Sequence, residues 1–66
     1  MSDMDMPAEG LAVLASNPGA KEAYGTLAPS HQREYAKWVS EAKQVATRER
    51  RAAKMVEMLL AEAKRN

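Results

Sequence analysis

The 66 residues contain no cysteine, no phenylalanine and only one histidine. The missing cysteines exclude disulfide staples and thiolate metal sites. His31 alone cannot build an imidazole cluster, so no metal centre and no cofactor is expected. The β-branched residues are only Val13, Val39, Val45, Val56, Thr26 and Thr47, too few for a sheet. No stretch approaches the ~18 apolar residues of a membrane span. The start, "MSDMDMPAEGLAVLA", is acidic, and its apolar run is short and broken, unlike a secretory leader. The expectation is a cytoplasmic chain with no membrane span. No nucleophile–base pair, glycine-rich phosphate loop or metal-ligand spacing occurs. A chain of this length rarely encloses a pocket, so neither catalysis nor a small-molecule substrate is expected.

What is abundant forms helices: alanine, glutamate, lysine, arginine, leucine and methionine. The length allows one domain, and a chain this short buries only about 60% of its unfolded surface. We assign residues 1–6 to a disordered tail and residues 7–66 to a single helical domain. "PAEGLAVLAS" reads as a short helix with Pro7 in its first turn, Asp5 as its cap, and Leu11, Leu14 and Ala15 on one side. "NPG" at 17–19 breaks it. "GAKEAYGTL" places Ala20, Ala23, Tyr24 and Leu27 on one stripe. Ser30 is the expected cap of a third helix, "SHQREYAKWVSEAK", with Tyr35, Trp38, Val39 and Ala42 on one face. A fourth runs from Thr47 to about Lys64, with Ala52, Met55, Val56, Leu59 and Ala63 inward. The short connector between the two long helices predicts an antiparallel hairpin. The fold class is therefore all-α: two short N-terminal helices packed on a long antiparallel helical hairpin. The expected core is Leu11, Leu14, Tyr24, Leu27, Tyr35, Trp38, Val39, Met55, Val56 and Leu59.

The net charge is +1, which demands neither nucleic acid nor membrane. The charge is uneven, however. Residues 1–30 carry Asp3, Asp5, Glu9 and Glu22 against Lys21, net −3, whereas residues 31–66 carry nine Lys or Arg against five Glu, net +4. Either the halves attract each other or the second half faces an anionic partner. The cations concentrate around "TRERRAAKMVEML". At about 100° per residue, Arg48 falls in line with Ala52, Met55 and Leu59, and Arg51 lies at the flank of that stripe. Both read as structural ties between helices, with Glu34 and Glu41 as the expected carboxylates, because a guanidinium fork suits a partly buried pairing. Arg50, Lys54 and Lys43 point away. With Met58 on the adjoining apolar arc they form the candidate surface for a partner or an anion. Trp38 and Tyr35 read as packing residues rather than a base-stacking platform. Tyr24 is expected to send its hydroxyl to solvent or a carboxylate.

The stretch "LAPSHQREYAKWVSEAKQVATRERRAAKMVEML" resembles the C-terminal helical module of the bacteriocin-protection, YdeI or OmpD-associated family. The residues that carry the resemblance are Leu27, Pro29, Ser30, Arg33, Glu34, Tyr35, Trp38, Ala42, Lys43, Thr47, Arg48, Arg50, Arg51, Glu57, Met58 and Leu59. The upstream "PAEGLAVLASNPGAKEAYGTL" is similar to the family's short-helix lead-in, so the likeness covers roughly 7–64. Two positions depart from the pattern: Ala52 stands where the family has an isoleucine-like residue, and Tyr24 is followed by Gly25. The resemblance brings no catalytic residue and no cofactor, and the family's name hints at the envelope. It implies a small non-catalytic interaction module linked to stress or to bacteriocin and antimicrobial-peptide tolerance. Its partner is expected to be another protein or a second copy of the chain. The competing reading is an accessory domain that binds nucleic acid weakly and non-specifically through residues 43–54.

Overall fold

The structure is a computed structural model and describes residues 6–65. Four helices occupy them: α1 (Ala8–Ser16), α2 (Pro18–Thr26), α3 (Pro29–Ser40) and α4 (Val45–Arg65). No strand occurs among the described residues, as the shortage of β-branched residues predicts. Asp5 and the rest of the expected tail up to residue 5 lie outside the described residues.

The joints differ from the caps expected. Asn17, between α1 and α2, donates from Nδ2 to the Val13 carbonyl (2.8 Å), and its own carbonyl accepts from the Lys21 N–H (2.9 Å). One residue thus closes the first helix and opens the second. Pro18 and Pro29 sit in the first turns of α2 and α3, where the missing N–H costs nothing and the fixed φ already suits a helix. Ser30 is therefore inside α3, whose cap is Ala28. Thr47 is inside α4, which begins two residues earlier than its side chain implied.

α4 packs against each of the other three helices, and α1 also meets α2. Its buried residues are Ala52, Met55 and Leu59, at i, i+3 and i+7 on one face. Around them lie Met6, Leu14, Ala20, Tyr24, Ala36 and Val39. Ala42 is buried as well. The four buried alanines carry only a methyl group, which lets helix backbones approach closely. Ala52 is fully enclosed, so its small side chain leaves no exposed gap.

Three expectations about the core need correction. Met6, placed in the tail, is buried. It crosses Gly10, where a Cβ would overlap the Met6 Sδ, so the glycine that weakens α1 makes room for a core side chain. Leu11 is exposed (52%). The inward face of α1 centres on Gly10, Val13 and Leu14, and Leu11 lies about 100° away from it. Leu27, Tyr35, Trp38 and Val56 are half-buried and flank the core.

Candidate functional site

The end of α3 and the start of α4 are held by two arginines. After Ser40 the chain tightens: the Ala42 N–H turns back to the Val39 carbonyl (3.3 Å). The Trp38 carbonyl is thereby left without its usual i+4 donor, the ordinary problem of a helix end. Arg51 supplies that donor from α4, with Nη1 2.7 Å from the Trp38 oxygen. Its guanidinium carbon also lies 5.6 Å from the centroid of the Trp38 ring, within cation–π range. Arg48 holds the next carbonyls. Its Nη1 donates to Ala42 (3.0 Å) and to Lys43 (3.1 Å), and its Nε donates to the Glu9 carboxylate (3.1 Å). Its side chain is 23% exposed and that of Glu9 17%.

Glu9 and Arg48 are 39 residues apart. The partners expected from the sequence, Glu34 and Glu41, are both exposed and make no ion pair among the described residues. The tie therefore reaches α1 rather than α3. The acidic first half and basic second half of the chain carried a trace of this, because Glu9 is one of the few carboxylates able to answer the arginines. The Glu9 N–H, and after it the Arg48 guanidinium, hold the carboxyl below its ordinary range.

A second tie joins α2 to α3. The Tyr24 hydroxyl donates to the Gln32 carbonyl, and Gln32 Nε2 donates to the Tyr24 carbonyl, each at 2.8 Å. The hydroxyl therefore meets a backbone carbonyl, not the solvent or carboxylate expected from the sequence. Burial pushes its ionisation up. Its ring lies 6.4 Å from that of Tyr35.

These ties divide the basic cluster. Arg48 and Arg51 are engaged, whereas Lys43, Arg50 and Lys54 are exposed. Lys54 Nζ is 3.7 Å from the Glu57 carboxylate, an exposed contact that offsets part of the positive charge of that stretch of α4. Arg50, Lys54 and Met58 follow one another at four-residue steps, so they share a stripe, and Met58 is half-buried. Trp38 has Arg51 over its ring, and both Trp38 and Tyr35 pack against the core.

A different surface opens at the other end of α4, and sequence reasoning missed it. A hollow of about 280 Å³ lies between α2 and α4, lined by Gly19, Glu22, Ala23, Leu27, Leu59 and Glu62, among others. A second, of about 210 Å³, is lined by Leu27, His31, Glu34, Tyr35 and Glu62. Leu27 and Glu62 line both, so the two hollows lie side by side as a trough in two parts. Its presence follows from small residues, Gly19, Ala23 and Ala63, where two helices meet without large side chains to fill the seam. No group of three carboxylate, imidazole or thiol side chains that could hold a metal occurs among the described residues. No helix there is long and apolar enough to cross a membrane.

A family model described as bacteriocin-protection, YdeI or OmpD-associated matches residues 3–62. No curated protein and no solved structure matches the chain.

Proposed function

The chain belongs to the bacteriocin-protection, YdeI or OmpD-associated family, and from that premise we propose that it is a small non-catalytic interaction module that docks on another protein. The tolerance to bacteriocins named in the family description would then depend on the complex rather than on chemistry within this chain. The observation that carries the reading is the open, apolar-floored trough beside Leu60, which is itself 37% exposed. A surface of this kind offers contact area without enclosing a substrate. The arrangement of two short helices on an antiparallel hairpin belongs to the same proposal. It is supported by Trp38, late in α3, lying against Arg51, early in α4, while Tyr35 and His31 lie beside Glu62 near the other end.

The nucleic-acid reading keeps only Lys43, Arg50 and Lys54, since Arg48 and Arg51 donate to backbone carbonyls. Three cations give weak, strongly salt-dependent binding.

The test is photo-crosslinking in cells from a reactive residue placed at Leu60 or at Arg50. A discrete protein adduct is expected. The reading fails if neither position captures a protein while a short mixed-sequence DNA duplex shifts the amides of residues 43–54 at low salt and releases them at moderate salt.

A further inference from the structure

We propose that the trough between α2, α3 and the end of α4 receives a basic amphipathic helix of a partner polypeptide. This inference rests on the interaction-module reading and names the site and the chemistry of the occupant.

The trough has an apolar floor and an acidic rim. Ala23 and Leu27 come from α2, Leu59 and Ala63 from α4, and Tyr35 from α3. The charged residues that line it are Glu22, Glu34 and Glu62, one from each of the three helices, and among the described residues no lysine or arginine joins the lining. Lys21 and Lys64, on the same helices, lie outside it. All three glutamates are exposed, and no ion pair among the described residues involves them. Their carboxylates therefore stand at the surface around an apolar seam. The field of Glu62 is felt inside: after burial, it is the second cause that raises the ionisation of Tyr35.

This combination selects the occupant. The described residues offer no sheet edge on which an extended peptide could add as a strand, and an apolar seam between helices suits helix-in-groove docking. An occupying helix places apolar residues at i, i+3, i+4 and i+7 on Leu27, Leu59 and Ala63, and its flanking Lys or Arg meet the glutamates. α2 is nine residues long, or about 13 Å at 1.5 Å per residue, which matches two to three turns of the occupant. Complementary charge sets orientation and speeds encounter, and the small residues of the seam let the backbones come close. An acidic or anionic partner is repelled by the same rim.

The experiment titrates the whole chain with a fluorescent helical peptide of about 14 residues, built of leucine on one face and lysine on the other. Binding is read by anisotropy and amide shifts at about 0.05 M and about 0.3 M salt. Saturable binding is expected, with shifts at Ala23, Leu27, Leu59 and Ala63. The double variant Glu22→Lys with Glu62→Lys should weaken it by about tenfold or more at the lower salt. Both positions are exposed, so an unchanged thermal melt verifies the fold. Equal binding by the double variant, equal binding of a peptide with glutamate in place of lysine, or shifts confined to residues 43–54 each overturn the trough as the site. Self-association of the chain that the charge reversal abolishes would make a second copy the occupant and overturn an external helix. A protein adduct from position 60 that survives charge reversal overturns the trough but leaves the interaction module standing. Loss of both adduct and peptide binding in the unmodified chain overturns the two together.

Discussion

Charged side chains near the two ends of α4 are put to opposite uses. At its start, Arg48 and Arg51 are spent on the fold: they close the carbonyls of Trp38, Ala42 and Lys43, and Arg48 clamps Glu9 of α1. Towards its end, Glu62 joins Glu22 and Glu34 around an open trough and makes no ion pair among the described residues. Counting charges along the chain draws attention to the first end, because the basic residues are dense there. With the engaged arginines set aside, the first end keeps Lys43, Arg50 and Lys54, no more charges than the three glutamates of the trough. The lesson is physical: a charged side chain that already donates to backbone carbonyls offers little to a partner, whatever its density in the sequence.

The largest effect should come from breaking the first end. Arg48→Ala removes the donors of two carbonyls and the clamp on α1, and should cost about 2 kcal/mol, read as a lower midpoint in urea unfolding. Arg51→Ala should cost about 1.5 kcal/mol by the same measurement, from the lost Trp38 carbonyl bond and the lost ring contact. Arg51→Lys should recover only part, because an ammonium lacks the planar fork. If Arg48→Ala and Arg51→Ala melt with the wild type, the contrast between the ends collapses.

Acid sharpens the same contrast. The Glu9 carboxyl is held below its ordinary value, so its contribution to stability is present above the usual carboxylate range and is lost as pH falls through the depressed value. Melting temperatures of wild type and Glu9→Gln should differ at pH near neutral and converge in acid. A constant gap down to strong acid would disprove the charged clamp.

The smallest effects belong to the exposed charges. Arg50→Ala and Glu62→Gln should each change stability by less than about 0.5 kcal/mol. Glu62→Gln should nevertheless leave a local trace. Tyr35 ionises above its ordinary range first because of burial and then because of Glu62, so in this variant its tyrosinate absorbance should appear at lower pH. An unmoved titration would mean that Glu62 does not face the trough.

Most of the helices were legible because apolar spacing and proline or asparagine breaks are local. The inward positions Ala52, Met55 and Leu59 follow from period alone, and so does the absence of strands. That Arg48 is a tie was also legible, since it falls on the apolar stripe, where a charge must find partners. Its partner was not legible. Glu34 and Glu41 are nearer in sequence, but which carboxylate meets the guanidinium depends on how α1 lies across α4. The same holds for Leu11 and Met6: periodicity placed Leu11 inward, yet α1 turns Gly10 and Leu14 to the core, with Met6 packed over Gly10, and Leu11 faces out.

By itself, then, the sequence determined an all-helical chain without disulfides, the buried stripe of its last helix, and the family to which it belongs. Tertiary structure alone decided that Glu9 answers Arg48, that Tyr24 and Gln32 bind each other's backbone, and that three glutamates from three helices surround one trough. Periodicity records which face of a helix is buried. It does not record which neighbour that face meets or at what crossing, and the availability of a charge depends on that neighbour.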